Sequence, residues 1–371
     1  MVVAVTPEAR LQAFYERVER QALKPLWLGR EPAPEPSRSV RPWLWPWSVL
    51  RPNMLEAAEI MPVAEDGGAD RRVLTMVNPT RQGHGATRTL LAAIQLVKPG
   101  ERAPSHRHSP AALRFIVEGQ GGYTIVEGEP LTMEPGDFLL TPSWTWHGHG
   151  HDGSGPMLWL DVLDVPLVSA LDVAFYEEYA EPRQLQPAHT PADATLRCLG
   201  AGSAVLPTWM GRPEVPYSPL FSYKYQPTRE ALLRLTQQEP SPLEGYALRY
   251  VNPFTGGPVM PTIGATIQLL TRGLRTQAVR TTTNAIYHVV EGSGSSVLDA
   301  PAVLLAAWRH LLRPGLVLGR ARRRALGGRH PLRGQRPSGY PVAWPVPRAA
   351  LPRARRPAAN HGRVHRSTVS T

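Results

Sequence analysis

The chain repeats itself. Gln95-Leu96 returns as Gln268-Leu269, Gly100 as Gly273 and Glu118-Gly119 as Glu291-Gly292, all at a spacing of 173 residues. Val77-Asn78-Pro79 returns as Val251-Asn252-Pro253, one residue out of step. Such a repeat constrains the fold more than composition does, because both copies must build one kind of unit and each must find a core. In the first copy, Gly122-Tyr123-Thr124-Ile125-Val126 alternates as a half-buried strand does, and Pro135-Gly136 is a turn signal. The unit is β-rich, and the expected fold class is mainly β.

The residues that carry chemistry do not repeat. His106-Arg107-His108 places two imidazoles one residue apart, which on a β-strand puts them on the same face. His147, in Pro142-Ser143-Trp144-Thr145-Trp146-His147, can join them from a neighbouring strand. Three neutral imidazoles on one face suit iron, zinc, copper or nickel and leave positions open for substrate. The alternative is three unrelated histidines in loops. In the second copy, Val279 and Thr281 stand where His106 and His108 would be, so no metal is expected there. His288 falls in the slot of Phe115 and is expected to pack rather than ligate.

The flanks of these histidines resemble the two cupin motifs. Gly100, His106-x-His108 and Phe115-Ile116-Val117-Glu118-Gly119 match the first; Pro135-Gly136-Asp137, Pro142 and His147 match the second. The glutamate ligand of that pattern would fall near position 112, where Ala112 stands, so the site looks three-His. The runs from Ser105 to Gly119, from Pro142 to His149 and from Arg41 to Trp47 resemble gentisate 1,2-dioxygenases, which are bicupin, non-haem iron, ring-cleaving enzymes. The resemblance covers roughly residues 5–299. It implies a bicupin: two double-stranded β-helix (jelly-roll) barrels with an N-terminal helix, the second barrel incomplete. It also implies Fe(II) on His106, His108 and His147, and cleavage of gentisate by O2 between C1 and C2 to give maleylpyruvate. A homo-oligomer, a tetramer in the family, is the expected assembly. Leu91 occupies a position that is often aromatic in the family, which leaves salicylate or 1-hydroxy-2-naphthoate as alternative substrates. A non-catalytic cupin that binds an aromatic acid is the alternative of another class.

Other site candidates follow from position. Arg114 is six residues beyond His108, an even spacing that can keep it on the cavity side, where a guanidinium can clamp a carboxylate through two hydrogen bonds. His149 is two residues beyond His147 and is expected to act as a base or hydrogen-bond donor. Asp161 is an acid amid Leu158-Trp159-Leu160, and a buried carboxylate needs a partner, either His149 or an arginine. Arg71 or Arg72 resembles the family's second carboxylate-binding arginine. His151 reads as structural, and His84 has no assigned role.

Composition by itself points elsewhere. The chain is formally +11, which suggests a polyanion partner. The excess is local: residues 300–371 hold 15 Arg and no Lys, Asp or Glu, so the preceding 299 residues carry 26 basic and 30 acidic side chains. A nucleic-acid binder is disfavoured, because the tail has no recognised reading motif. The tail looks like out-of-frame text. Residues 300–323 can be back-translated with legal codons so that a one-nucleotide shift reads Gln-Pro-Gly-Asp-Ile-Phe-Phe-Val-Pro-Ala-Trp-Ser-Trp. That resembles the run from Pro135 to Trp146 and places a second cupin motif where the repeat requires one. A natural, disordered Arg-rich extension is the alternative.

The expected domains are an N-terminal helix and Trp/Pro-rich arm (1–70), an iron-binding barrel (71–165), a connector (166–245), a partial second barrel (246–299) and the tail (300–371). Residues 7–23 are predicted helical, with Leu11, Phe14, Tyr15 and Val18 on one stripe. Leu167 to Tyr179 and Arg229 to Leu235 are predicted helical too, and Pro32, Pro34 and Pro36 form a linker. The Trp-rich segment at 43–47 is expected to serve domain packing rather than as a binding platform. One cysteine, Cys198, fits a reducing cytoplasm, and no apolar run suggests a membrane span or signal peptide.

Overall fold

A computed structural model describes residues 6–29, 40–63, 71–81, 83–180, 190–200, 205–279, 281–298, 302–305 and 313–318. The helices are α1 (Pro7–Arg20), α2 (Trp47–Ile60), α3 (Val165–Ala170), α4 (Ala194–Leu199) and α5 (Tyr225–Leu235). The first repeat supplies β2 (Val73–Thr75), β3 (Leu91–Val97), β4 (Arg102–His108), β5 (Ala112–Glu118), β6 (Gly122–Val126), β7 (Glu129–Met133), β8 (Phe138–Thr141), β9 (His147–His151) and β10 (Met157–Leu163). Outside it lie β1 (Trp43–Leu44), β11 (Tyr176–Glu178), β12 (Ser222–Tyr223), β13 (Tyr246–Arg249), β14 (Thr266–Leu269), β15 (Ala285–Val289), β16 (Gly294–Val297), β17 (Ala302–Leu305) and β18 (Arg313–Leu318).

The first repeat is a jelly roll of two antiparallel sheets. One has the order β12-β8-β5-β10-β3-β2 and the other β11-β4-β9-β6-β7. The strands of the larger sheet alternate between two cores. Ile94, Leu96, Val117, Leu158 and Leu160 face outward onto Trp47, Met54 and Ala58 of α2. Val97, Ile116, Leu139 and Trp159 face the barrel interior with Val126, Leu131 and Met133 of the opposite sheet. Sheet faces with period-two alternation give this double use of one strand. Fully burying each such large side chain contributes about 1.5–3 kcal/mol.

Helix α2 was not anticipated, although its signal is present. Pro46 precedes the first turn, and Trp47, Leu50, Met54 and Ala58 fall at helical spacing; all four join the core outside the larger sheet. Arg51 on the same helix reaches Glu118 with two hydrogen bonds, of 2.7 and 2.8 Å. The expected packing role of the Trp-rich segment therefore holds for Trp45 and Trp47, whereas Trp43 is exposed. Helix α1 forms, but of its expected stripe only Val18 is buried, and Leu11 faces solvent. The linker prolines Pro32, Pro34 and Pro36 lie outside the described residues.

The helix expected from Leu167 to Tyr179 is corrected. It stops at Ala170, and Tyr176–Glu178 is a strand that pairs with His108, Arg107 and His106. The exposed edge of β4 offers unpaired backbone groups, and those pairings outweigh the helical pattern of the sequence. The connector also forms α4 and a longer α5 than expected.

The second repeat is built from small ladders: β13 with β14, β16 with β17, and β15 with β18, which also pairs with β1. Two of these strands lie in the Arg-rich tail. The rest of the tail lies outside the described residues.

Candidate metal centre

Strand β4 presents His106 and His108 on one face, and the register of β4 with β9 sets His147 directly opposite His106. Ring centroids are 5.3 Å apart for His106 and His108, 4.1 Å for His106 and His147, and 4.8 Å for His108 and His147. One nitrogen from each ring lies within 4.8 Å of the others. Gly148, beside His147, is required by the closeness of β4: a Cβ there would come within 3.3 Å of Ser105 Cα.

The orientation of each ring is fixed from behind. His108 Nδ1 lies 2.7 Å from Pro110 O, and His147 Nδ1 lies 2.9 Å from Thr145 O. His106 Nδ1 faces Pro104 O at 3.4 Å. Carbonyls accept, so the partners of His108 and His147 select the Nδ1–H tautomer and leave Nε2 for a metal, whereas His106 Nδ1 also meets the Arg71 guanidinium, which donates. His147 Nε2 is buried and has no hydrogen-bond partner among the described residues. Burial pushes the His106 imidazole down to about 2, with Arg71 adding to the effect, and His108 down to about 4. Burial also holds His147 and His149 well below the usual imidazole value. Neutral rings that each bring one nitrogen to a common point fit a divalent transition metal.

A polar set lies farther inside the barrel. Arg114 and Asp161 are register partners across β5 and β10, and Arg114 Nε donates to Asp161 Oδ1 at 2.7 Å. Asp161 Oδ2 accepts from Trp159 Nε1 at 3.0 Å. Burial raises the Asp161 carboxyl, with Arg114 opposing it. Of the partners expected for Asp161, the arginine is the one it takes. Arg114 Nη1 is buried and unpaired among the described residues, so one nitrogen of the guanidinium is available. His149 shares a sheet face with His147, and its Nδ1 lies 3.0 Å from Thr124 Oγ1, leaving a buried, unpartnered Nε2.

Arg71 and Arg72 part ways. Arg71 Nη2 lies against His106 Nδ1 and donates to Pro104 O at 3.3 Å. Arg72 turns to Glu101, Met61 O and Leu96 O, with its Glu101 ion pair at 2.9 Å, and does not reach the histidines. His151 is structural, as expected: its Nε2 lies 2.6 Å from Gly155 O. His288 packs on Phe115 with ring centroids 4.6 Å apart.

Three residues escaped the sequence reading. Gln95 is buried with an unpartnered Nε2, and the alternation along β3 places it on the interior face with Val97. A lone amide in an otherwise apolar strand is a signal that can be read. Thr124 orients His149. Tyr176 stacks on His106 at 5.3 Å and was hidden by the wrong helix. With His108, Pro110, Leu163, Val165 and Phe175 it lines an opening of about 310 Å³ beside the cluster.

Comparison with known proteins fits this geometry. Residues 93–163 match the cupin domain. The chain is 40% identical over 297 residues to gentisate 1,2 dioxygenase 1 of Aquipseudomonas alcaligenes, covering 79% of this chain and 83% of that one. The chain belongs to the gentisate 1,2-dioxygenase family. A second family member, gentisate 1,2-dioxygenase of a Streptomyces species, is 41% identical over 77% of this chain and 81% of its own length. Among solved structures, salicylate 1,2-dioxygenase from Pseudoaminobacter salicylatoxidans, in a structure of its adducts with gentisate, superposes with a TM-score of 0.66 at 32% identity. That match covers 86% of this chain and 88% of the other. The bicupin architecture is thus shared across this family of ring-cleaving enzymes.

Proposed function

We propose that this chain is an Fe(II)-dependent gentisate 1,2-dioxygenase that opens the ring between C1 and C2 with O2 to give maleylpyruvate. The observation that carries this reading is the pairing of a three-histidine face with a buried arginine whose Nη1 is unspent. His106, His108 and His147 would hold the metal, which when bound supplies the redox chemistry that O2 activation requires. Arg114 receives the substrate carboxylate on its free edge while Asp161 holds the other edge in place. His149, neutral and oriented by Thr124, offers Nε2 to a phenolic proton of the substrate. Arg71, beside His106, adds positive charge where an anionic substrate arrives. Arg72 has no part in binding in this reading.

The reading also includes a cytoplasmic enzyme that assembles as a homo-oligomer, and a tail that is out of frame from about residue 300. Leu91, at a position often aromatic in the family, leaves salicylate or 1-hydroxy-2-naphthoate as the alternative substrate. Oxygen consumption by the iron-loaded protein tests the proposal. One O2 per gentisate, with a higher kcat/KM for gentisate than for the other two acids, is expected. Binding of all three acids without oxygen consumption would instead identify a non-catalytic cupin.

A further inference from the structure

Asp164 sits where an aspartate usually caps a helix, at the N-cap of α3, yet its side chain makes no capping hydrogen bond. Its main-chain oxygen serves the helix, accepting from Leu167 N at 2.9 Å and Val168 N at 3.0 Å. The carboxylate is spent elsewhere. Oδ1 accepts from Ala111 N at 2.7 Å, and Oδ2 accepts from Thr262 Oγ1. The residue is 2% exposed.

The N–H of Ala111 and the C=O of Pro110 belong to the same peptide group. That carbonyl is the one 2.7 Å from His108 Nδ1. The chain of contacts runs from Thr262 to Asp164, through one peptide group, to the imidazole of His108. A carboxylate on the N–H end of a peptide increases the negative charge on its oxygen, and hydrogen bonds in series strengthen one another. Metal-bound imidazoles commonly donate to a carboxylate or carbonyl that fixes the ring and raises its basicity. Here the two kinds of partner act in series. The far end belongs to the second repeat: Val259, Met260 and Ile263 around Thr262 pack with Ala111 and Leu113 of the first.

We propose that Asp164 is a positioning residue for His108, acting through the Pro110–Ala111 peptide, and that Thr262 couples the second repeat to the metal centre by holding Asp164. The proposal rests on His108 being a metal ligand.

Fe(II) titration of the full-length protein tests it, together with the ¹⁵N signals of the His108 ring in the metal-free protein. Asp164→Ala should weaken Fe(II) binding about tenfold or more and shift the His108 Nδ1 signal. It should lower kcat with little change in KM, because the substrate contacts at Arg114 remain. Asp164→Asn keeps an acceptor oxygen for Ala111 N and should recover the ring signal while regaining only part of the affinity. Thr262→Val should cause a smaller loss in the same direction. Folded Asp164→Ala protein with wild-type iron affinity and an unmoved His108 signal overturns the proposal. If Asp164→Ala does not fold, wild-type behaviour of both Asp164→Asn and Thr262→Val overturns it equally. A wild-type protein that binds no iron through His108 would fail the functional reading instead, and His108→Ala provides that control.

Discussion

The two repeats keep the same joints and differ in what they enclose. Asn78 Oδ1 accepts from Thr80 N at 3.0 Å, and Asn252 Oδ1 accepts from Phe254 N at 2.9 Å, so the shared Val-Asn-Pro text makes the same turn twice. Glu118 takes an arginine from α2, and its counterpart Glu291 takes Arg229 from α5 at 2.8 Å. Each repeat is thus fastened to a preceding helix by one Glu–Arg pair. The interiors diverge. β3 is almost wholly buried, whereas its counterpart β14 alternates between exposed and half-buried residues. Val279, in the slot of His106, is 45% exposed. Local devices persist because each needs only a few neighbouring residues. A ligand cluster needs several strands held in register, and once its imidazoles are replaced nothing maintains it.

The largest effect expected is on the first repeat alone. His147→Ala should abolish both iron binding and oxygen consumption, because it removes one of the three imidazoles that converge on one point. Metal analysis beside the oxygen electrode checks this, and retained iron with retained turnover would remove the contrast between the repeats.

Arg114→Ala should lower kcat/KM for gentisate about 10²-fold, equivalent to about 2.7 kcal/mol. Conversion to Lys should restore it only in part, since a point charge does not replace the planar fork. The Ala variant also leaves Asp161 buried without its cation, a change that typically costs about 3–5 kcal/mol. Thermal melts beside steady-state kinetics separate the two consequences. Unchanged kinetics would remove Arg114 from the substrate site.

Restoring the reading frame near codon 300 should sharpen the likeness of the repeats. The later strands and the second Pro-Gly-Asp turn would then close the second barrel, giving a more soluble, protease-resistant and more active protein. If the chain as written is already fully active and protease-resistant through residue 371, the tail is a genuine extension.

The pH dependence of the metal-free protein is the next smaller effect. Burial lowers His106 to about 2 and His108 to about 4 from an ordinary 6.5. Below about 6.5 the unfolded chain therefore binds more protons than the folded one. Stability present above that pH should be lost as the pH falls toward 4, by up to about 1.4 kcal/mol per imidazole per pH unit. Melting temperatures at about pH 7.5 and about pH 5 measure it, and His106→Gln should flatten the slope. A pH-independent melting temperature would contradict the burial of these rings as neutral groups.

The smallest effect is a null. Val279→His together with Thr281→His should leave iron at one per chain, because the position 173 residues beyond His147 holds Arg320 in place of a third histidine. A second equivalent of iron would mean that the repeats differ only in their ligands.

The sequence by itself determined which residues could form the metal centre. His106, His108 and His147 were legible because strand alternation is local and their flanking turns carry Gly and Pro at characteristic places. The repeat was legible for the same reason. The wrong helix at 167–179 shows the limit: Leu167, Leu171 and Phe175 have a helical rhythm, but the free edge of β4 decides that Tyr176–Glu178 is a strand. Tertiary structure likewise decided between Arg71 and Arg72. Adjacent residues on an extended chain point to opposite sides, and only the position of Glu101 shows which side is taken. It decided the partner of Asp161 through the register of β10 on β5. It also turned Asp164 from a helix cap into a support for His108, because Ala111 and Thr262 are distant in sequence and meet only when the two repeats pack together. Side-chain type and spacing are written in the chain; which neighbours share a buried site is set by packing between elements.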